Sequence, residues 1–346
     1  MNRFVIVAVA IVVALSAAAG CSNSDKTSST PTAGGAPSQT ASSGAKKLKV
    51  VTTVAPLTNI VLNIGGDRIE LEGIIPDGVD SHTFEPSPAD AKLLAEADIF
   101  IMNGAHLEGT SEKIARENLK DPSKIYKLAD NTLSGDDPAT GFLYDFSFPR
   151  EGGNPNPHLW MNPQYAKKYA QLTAGWLAEN DPANKAYYDE NLKAFEAVID
   201  RLDAAIRTAT ATVPEKNRKL LTYHDSWAYW AREYGWTVIG AIQPSDFSEP
   251  SAKDVADLID EIKQVGVPAV FGSEVFPSPV TEQIARETGA KYVTSLSDDE
   301  PPGPVGAPEH TYVGMLVADM RAMIPALGGS AAAFDNFPVE NTYRKA

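Results

Sequence analysis

The sequence has little cysteine and little histidine, and both shortages narrow the range of possible functions. The single cysteine, Cys21, cannot form an internal disulfide, so no disulfide framework can hold the fold. Neither an HExxH nor a CxxC pattern occurs, which removes the compact sequence signatures of zinc proteases and zinc fingers. The five histidines are far apart in the chain. Any site built from them must therefore be assembled by the fold.

The sequence also lacks an apolar run long enough for a transmembrane helix. The longest run, residues 4–15, falls short of the roughly 20 residues needed to cross a bilayer. Arg3 precedes this run and small residues follow it, so residues 1–20 are predicted to be an export signal peptide. Cys21 comes directly afterwards, in the context AAGC of a bacterial lipoprotein processing site, and is predicted to carry a lipid. Ordinary signal cleavage that leaves a free thiol is the alternative.

Large residues are nearly absent between the lipidation site and Lys47. Residues 22–47 are mostly Ser, Thr, Ala, Gly and Pro, which cannot bury enough apolar surface to fold. We predict that residues 21–47 comprise the lipidated cysteine and a disordered tether. Such a tether suits a protein that works beside a membrane.

Positive charge is in short supply as well. Forty-five acidic residues face 30 basic ones, for a formal net charge of −15. A surface of this sign repels nucleic acid and attracts cations. We therefore expect no nucleic-acid partner.

Predicted strands and helices alternate through the rest of the chain. The rhythm runs from Leu48 to Leu119 and returns after residue 219, which predicts two α/β lobes, each a mainly parallel sheet flanked by helices. Between them, apolar residues recur at helical spacing from Tyr188 to Ile206, as in a helix with one buried face. The predicted ranges are 48–183 for the N-terminal lobe, 184–210 for a long, stiff linking helix and 211–346 for the C-terminal lobe.

Three histidines and an aspartate lie where strands end or helices begin. His82 follows a predicted strand, His158 precedes a helix that Pro163 can start, His224 ends a strand, and Asp298 follows the last strand. Ligand-binding groups gather at such positions in open α/β sheets. Imidazole is the commonest protein ligand for zinc and related metals, and a carboxylate compensates charge. Together these residues can supply a tetrahedral set, although their long spacing makes each alone equally compatible with an ordinary loop residue.

Four separated segments resemble the lipoprotein receptors of bacterial zinc and manganese ABC importers, the cluster A-I (cluster 9) solute-binding proteins. The segments are GVDSHTFEPSPADAKLLAEADIFIMNG, NPHLWMNPQYAKKYA, LLTYHDSWAYWAREYGW and YVTSLSDD, in the family's order. The resemblance implies two lobes joined by one long rigid helix, with the metal in the cleft between them. It implies that His82 and His158 bind metal from the first lobe and that His224 and Asp298 bind it from the second. It also implies an ABC permease as partner, a monomeric receptor, and an extracytoplasmic location at the cell membrane.

The metal expected as cargo is zinc, with manganese second and ferrous iron third. His224 stands where manganese receptors of this family usually have Glu, and nitrogen-rich coordination suits zinc. Against zinc, the acidic segment 131–157 contains no histidine, whereas many zinc receptors have a His-rich loop there. No catalytic residue and no cofactor are expected. The alternative functions are a secreted zinc-dependent hydrolase, for which no motif pairs a base with a ligand, and a surface adhesin of the same family.

Other polar residues near these positions have weaker predictions. His106 and His310 match no ligand position of the family and are expected at the surface or at a helix start. Asp225 is expected to orient a neighbour or to cap a helix that begins at Ser226. Asp299 replaces Asp298 as the ligand if the register is off by one. Glu274 is either a partner of the ligands or a structural residue.

Overall fold

A computed structural model describes residues 46–244, 247–276 and 278–345. The expected signal peptide, Cys21 and nearly all of the expected tether lie outside the described residues. Among the described residues, no helix combines the length and the apolar character needed to cross a membrane.

The first half of the chain forms a four-stranded parallel sheet with the order β2-β1-β3-β4. Its strands are β1 (Leu48–Thr52), β2 (Ile69–Gly73), β3 (Ile99–Met102) and β4 (Ile125–Lys127). Its helices are α1 (Ala55–Gly65), α2 (Pro88–Glu96), α3 (Gly109–Asn118) and α4 (Pro163–Asn180). Every residue of β3 is buried, as expected for a central strand covered on both faces. The edge strand β4 was not predicted, because its three residues are only partly buried and no apolar run marks them.

The second half repeats this architecture with the strand order β6-β5-β7-β8, again all parallel. The strands are β5 (Lys219–Thr222), β6 (Thr237–Ala241), β7 (Ala269–Ser273) and β8 (Lys291–Leu296). The helices are α6 (Ala228–Tyr234), α7 (Ala252–Val265), α8 (Pro279–Thr288) and α9 (Tyr312–Ala326). The predicted fold class, α/β with two parallel sheets flanked by helices, is confirmed.

One helix, α5 (Lys185–Thr212), connects the two sheets along the chain. Its 28 residues extend over about 42 Å at 1.5 Å per residue. The apolar stripe predicted from spacing is its buried face: Tyr188, Phe195, Ile199 and Ile206 are fully buried. This face packs against α1 and α4 of the first half and against α9 of the second. The helix therefore packs against both halves as well as connecting them, and we call its buried face the shared wall.

The larger of two hydrophobic clusters extends through both halves, and the smaller one lies within the second half. The larger cluster of buried side chains contains Val50 and Ile101 from the first sheet and Leu220 and Phe271 from the second. The last residues of the chain are hydrogen-bonded to the first half. Asn341 Oδ1 accepts from the side-chain amides of Asn59 and Asn63 in α1. Residues from Lys46 onward form one compact unit. Large relative movement of the two sheets would break this core.

We predict that Phe195→Ala lowers the free energy of unfolding by about 3–5 kcal/mol, because the ring is fully buried in the shared wall and its loss leaves a cavity. Chemical denaturation followed by circular dichroism measures the change. The exposed Lys193→Ala on the same helix is the matched control and should stay within about 0.5 kcal/mol of the wild type. Equal unfolding free energies for the two variants would contradict the role assigned to α5.

Candidate metal centre

His82 lies in the loop that follows β2, and a local turn orients its backbone. The carboxylate of Asp80 accepts a hydrogen bond from the His82 N–H at 2.8 Å, the pattern of an Asx-turn. The ring stacks on Phe247 with 4.4 Å between centroids and lies 5.5 Å from the ring of Phe148. His82 is partly buried, so one side of it remains accessible from outside.

His158 is fully buried just before the turn that leads into α4, and Asn156 determines its tautomer. Asn156 Nδ2 donates to the backbone carbonyl of Asp225 at 2.8 Å, which places Asn156 Oδ1 toward the histidine. That oxygen accepts from His158 Nδ1 at 2.8 Å, so Nδ1 carries the proton. Nε2 is therefore left with a free lone pair, the state in which a histidine binds metal. The sequence-based analysis did not identify Asn156, although Asn two residues before a histidine is a recognisable turn signal.

His224 lies two residues after the end of β5 and is almost completely buried. Thr222 Oγ1 donates to the His224 carbonyl at 2.6 Å and so holds the backbone at the strand end. The ring lies at right angles to that of His158, with 4.6 Å between centroids.

The three imidazoles converge on one point through their Nε2 atoms. His82 Nε2 lies 3.2 Å from that of His158 and 3.1 Å from that of His224. Zinc binds imidazole nitrogen at about 2.0–2.1 Å, so tetrahedral geometry separates two such nitrogens by roughly 3.3–3.4 Å. The arrangement is close to that spacing. Residues separated by 76 and 142 positions in sequence thus form one group of potential metal ligands.

Asp298 lies beside this group, after β8, but contacts the other nitrogen of His224. Its Oδ2 is 3.0 Å from His224 Nδ1 and accepts a hydrogen bond from the Ser226 hydroxyl. Its Oδ1 is buried and has no hydrogen-bond partner among the described residues. The Trp160 indole donates to the Asp298 carbonyl at 2.7 Å. Asp298, Asp299 and His224 form a second group of potential ligands that shares His224 with the first.

Two buried carboxyl groups hold the loop that carries Asp298. Glu274 Oε1 accepts hydrogen bonds from three successive backbone N–H groups, those of residues 298–300, at 2.8–3.2 Å. Asp319 Oδ1 accepts from the Ser297 N–H at 2.8 Å. Glu274 thus contacts the ligand loop through its backbone.

The centre combines two neutral imidazoles and one protonated imidazole with an excess of buried acid. Burial and the proximity of His224 lower the pKa of both His82 and His158 well below the ordinary value. Burial also opposes protonation of His224, but Asp298 and the neighbouring carboxyls outweigh it and raise its pKa to about 10. Burial and the charge of Asp298 raise the pKa of Asp299 to about 7. A divalent cation would relieve the repulsion among these carboxyl groups.

The remaining expectations have mixed outcomes. His106 is exposed and follows β3, whereas His310 is partly buried and contacts the Gly303 carbonyl at 3.0 Å. The capping role considered for Asp225 was wrong, because α6 begins at Ala228 and has no side-chain cap. Asp225 is instead fully buried and accepts a hydrogen bond from the Ser147 N–H at 2.8 Å.

Comparison with known proteins identifies relatives over most of the chain. Residues 50–326 match the family model of the periplasmic zinc-uptake complex component A. The iron-binding protein YfeA of Yersinia pestis is 32% identical over 281 residues, 79% of this chain and 84% of that protein. The manganese ABC transporter substrate-binding lipoprotein PsaA of Streptococcus pneumoniae is 30% identical over 229 residues, 66% of this chain and 73% of that protein.

Among solved structures, the periplasmic zinc-binding protein TroA of Treponema pallidum superposes with a TM-score of 0.73 and 26% identity, covering 82% of this chain and 99% of that one. The sequence matches and the structural match thus identify metal-binding relatives, in agreement with the three converging histidines. The chain belongs to the periplasmic zinc-uptake component A family, the metal-binding receptors of ABC importers.

Proposed function

We propose that this protein captures zinc outside the cytoplasm and delivers it to an ABC permease. The observation that carries the proposal is the convergence of three histidine side chains, with His82 Nε2 3.2 Å from His158 Nε2 and 3.1 Å from His224 Nε2. The acidic surface raises the local concentration of cations, and the imidazoles then replace water around the ion.

In this proposal the ligands are His82, His158, His224 and Asp298. The three histidines coordinate through Nε2, and Asp298 supplies the fourth ligand through its unpartnered Oδ1. Asp298 now pairs with His224 Nδ1, so its ligation requires rotation of the carboxylate or of that imidazole ring. Glu274 and Asn156 hold two of the ligands in place through hydrogen bonds to the ligand loop and to His158.

Zinc is favoured because three imidazole nitrogens and one carboxylate oxygen supply the four ligands of a tetrahedral site, and nitrogen-rich coordination suits zinc. Manganese is the second candidate, and Asp299 is the specific observation in its favour. This residue is buried beside Asp298, and its Oδ1 has no partner among the described residues. A second carboxylate would give the oxygen-richer coordination that manganese accepts. The relatives are named for iron and manganese, and TroA is named for zinc.

Delivery requires a protein that stays beside a membrane partner. Relatives are named as substrate-binding lipoproteins of metal ABC transporters. We propose that Cys21 carries the lipid, that residues 22–47 tether the folded part, and that a monomer docks on the permease. The lobes are proposed to comprise residues 48–183 and 211–346, separated by the helix at 184–210. The comparisons give no support to the hydrolase alternative.

We predict that the purified protein binds zinc more tightly than manganese, because the site offers more nitrogen than oxygen. Elemental analysis of the isolated protein, joined to competitive titrations with both metals, measures this preference. A protein that holds neither metal more tightly than calcium, a cation that selects oxygen ligands, would contradict the proposal.

His158→Ala should weaken zinc binding at least about a hundredfold, since it removes a ligand already buried and oriented. Competition against a chromophoric chelator measures the dissociation constant. The matched control is His310→Gln, which removes an imidazole far from the ligand set and keeps a donor for the Gly303 carbonyl. Equal losses in the two variants would exclude the assigned ligand set.

Cys21→Ser should release the protein from the membrane fraction, because the thioether-linked lipid can no longer form. Fractionation of cells, together with metabolic labelling by a fatty acid, measures the anchoring. Ser22→Ala changes the neighbouring residue and should leave both signals intact. Persistent labelling of Cys21→Ser would rule out this residue as the anchor.

A further inference from the structure

The three histidines of the centre differ in how they can be reached from solvent. His158 and His224 are 0% and 1% exposed, whereas His82 is only partly buried. An incoming ion must therefore meet His82 before the other two. This asymmetry raises the question of what lies outside His82.

A cavity of about 380 Å³ opens on the outer side of His82. Phe148 and Phe247, whose rings pack on His82, form part of its wall, and exposed residues around Gly152 and Asn154 form its rim. A water molecule occupies about 30 Å³ in the liquid, so six of them need roughly 180 Å³. The cavity can thus hold a divalent ion that still carries its first hydration shell.

His106 lines the same cavity. The residue is exposed, and its imidazole makes no hydrogen bond or ring contact with the part of the chain that the structure describes. Exposure alone is what an ordinary surface histidine would also show. Against it stands the backbone, because Ala105 and His106 both have positive φ, 49° and 66°. Such a conformation is uncommon for residues other than glycine, less so for His than for Ala, and Ala105 in particular needs support from its surroundings.

That support comes from two carboxylates behind the loop. Asp130 Oδ2 accepts from the Ala105 N–H at 2.8 Å. Glu108 accepts from the N–H groups of Asn103 and Gly104 at 2.9 and 3.1 Å. The loop is thus held in an unfavourable conformation that places an unpartnered imidazole at the cavity containing the first accessible ligand.

We propose that this cavity is the entry route for the metal and that His106 is a transient outer ligand on it. The imidazole replaces one water of the hydrated ion, retains the ion in the cavity, and passes it to His82. The inference rests on the proposed metal site, because His82 must be a ligand for the transfer to have a destination. His106 remains outside the final ligand set.

An outer ligand of this kind changes rates and leaves the equilibrium alone. The ion leaves by the route it entered, so a lower barrier speeds association and dissociation by the same factor. Loss of His106 should therefore reduce both rate constants about three- to tenfold together, as expected for one lost water-replacing ligand on the path. A residue that merely shaped the final site would alter their ratio instead.

The test uses the full-length protein and zinc alone. Stopped-flow mixing of metal-free protein with zinc gives the association rate, and mixing of zinc-loaded protein with excess chelator gives the dissociation rate. The variants are His106→Asn and His106→Asp, since both residues tolerate positive φ and have nearly the same shape. Of the two residues, only Asp supplies a negatively charged oxygen that can bind the metal ion. We expect both rates to fall in the Asn variant and to recover in the Asp variant.

Gly152→Trp tests the route separately. Gly152 lines the cavity, and a Cβ there meets only Pro149 Cγ at 4.0 Å, so the backbone accepts a side chain at this position. Both rates should fall, whereas Asn154→Ala, which only trims the exposed rim, should leave them unchanged. Unchanged rates in Gly152→Trp overturn the route, and unchanged or equal rates in the two His106 variants overturn the outer ligand. Wild-type zinc affinity is measured first, and its absence would instead overturn the proposed function.

Discussion

The structure depends on three imidazole nitrogens that point at one another in a buried space. Such an arrangement is unfavourable without a metal ion, because a protonated His224 can donate its Nε2 hydrogen to His82 Nε2, whereas His158 Nε2 faces another acceptor. Leaving a buried polar atom unsatisfied costs about 1–3 kcal/mol. The fold holds the histidines in this unfavourable arrangement. Asn156 keeps the proton of His158 on Nδ1, and Asp80 fixes the His82 turn. A metal ion converts the same geometry into coordination.

This geometry can persist only if the two sheets keep their positions relative to each other. The shared core and α5 supply most of that constraint. The segment between β4 and α4 adds to it by crossing to the second half. There the Leu143 N–H donates to the Tyr229 hydroxyl at 3.1 Å, and the Ser147 hydroxyl donates to the Gln243 carbonyl at 2.7 Å. These contacts favour a receptor in which loops, rather than whole lobes, rearrange around the ion.

Much of the fold could be predicted from the sequence because parallel strands and amphipathic helices leave strong apolar patterns. The alternation of strands and helices predicted from Leu48 to Leu119 and after residue 219 is present, and the apolar spacing from Tyr188 to Ile206 lies on α5. The edge strand β4 was missed because it is short and half-exposed. The start of α6 was placed two residues early, because Asp225 looked like a cap for a helix at Ser226, whereas the Ser226 hydroxyl donates to Asp298. Tertiary contacts of this kind leave no local signal.

The candidate site was harder to predict than the fold, for a physical reason. Spacings of 76 and 142 residues carry no information about proximity, so the family resemblance was needed to group the histidines. The contact between Asp298 and His224 Nδ1 depends on side-chain rotamers, which a sequence does not specify. Without a cation, a carboxylate pairs with the most cationic group in reach, and the acids around His224 make that group its imidazole. A metal ion would compete with this ion pair for both His224 and Asp298. The same ion pair that keeps Asp298 off the histidine cluster therefore also keeps its carboxylate beside His224, one of the three clustered histidines.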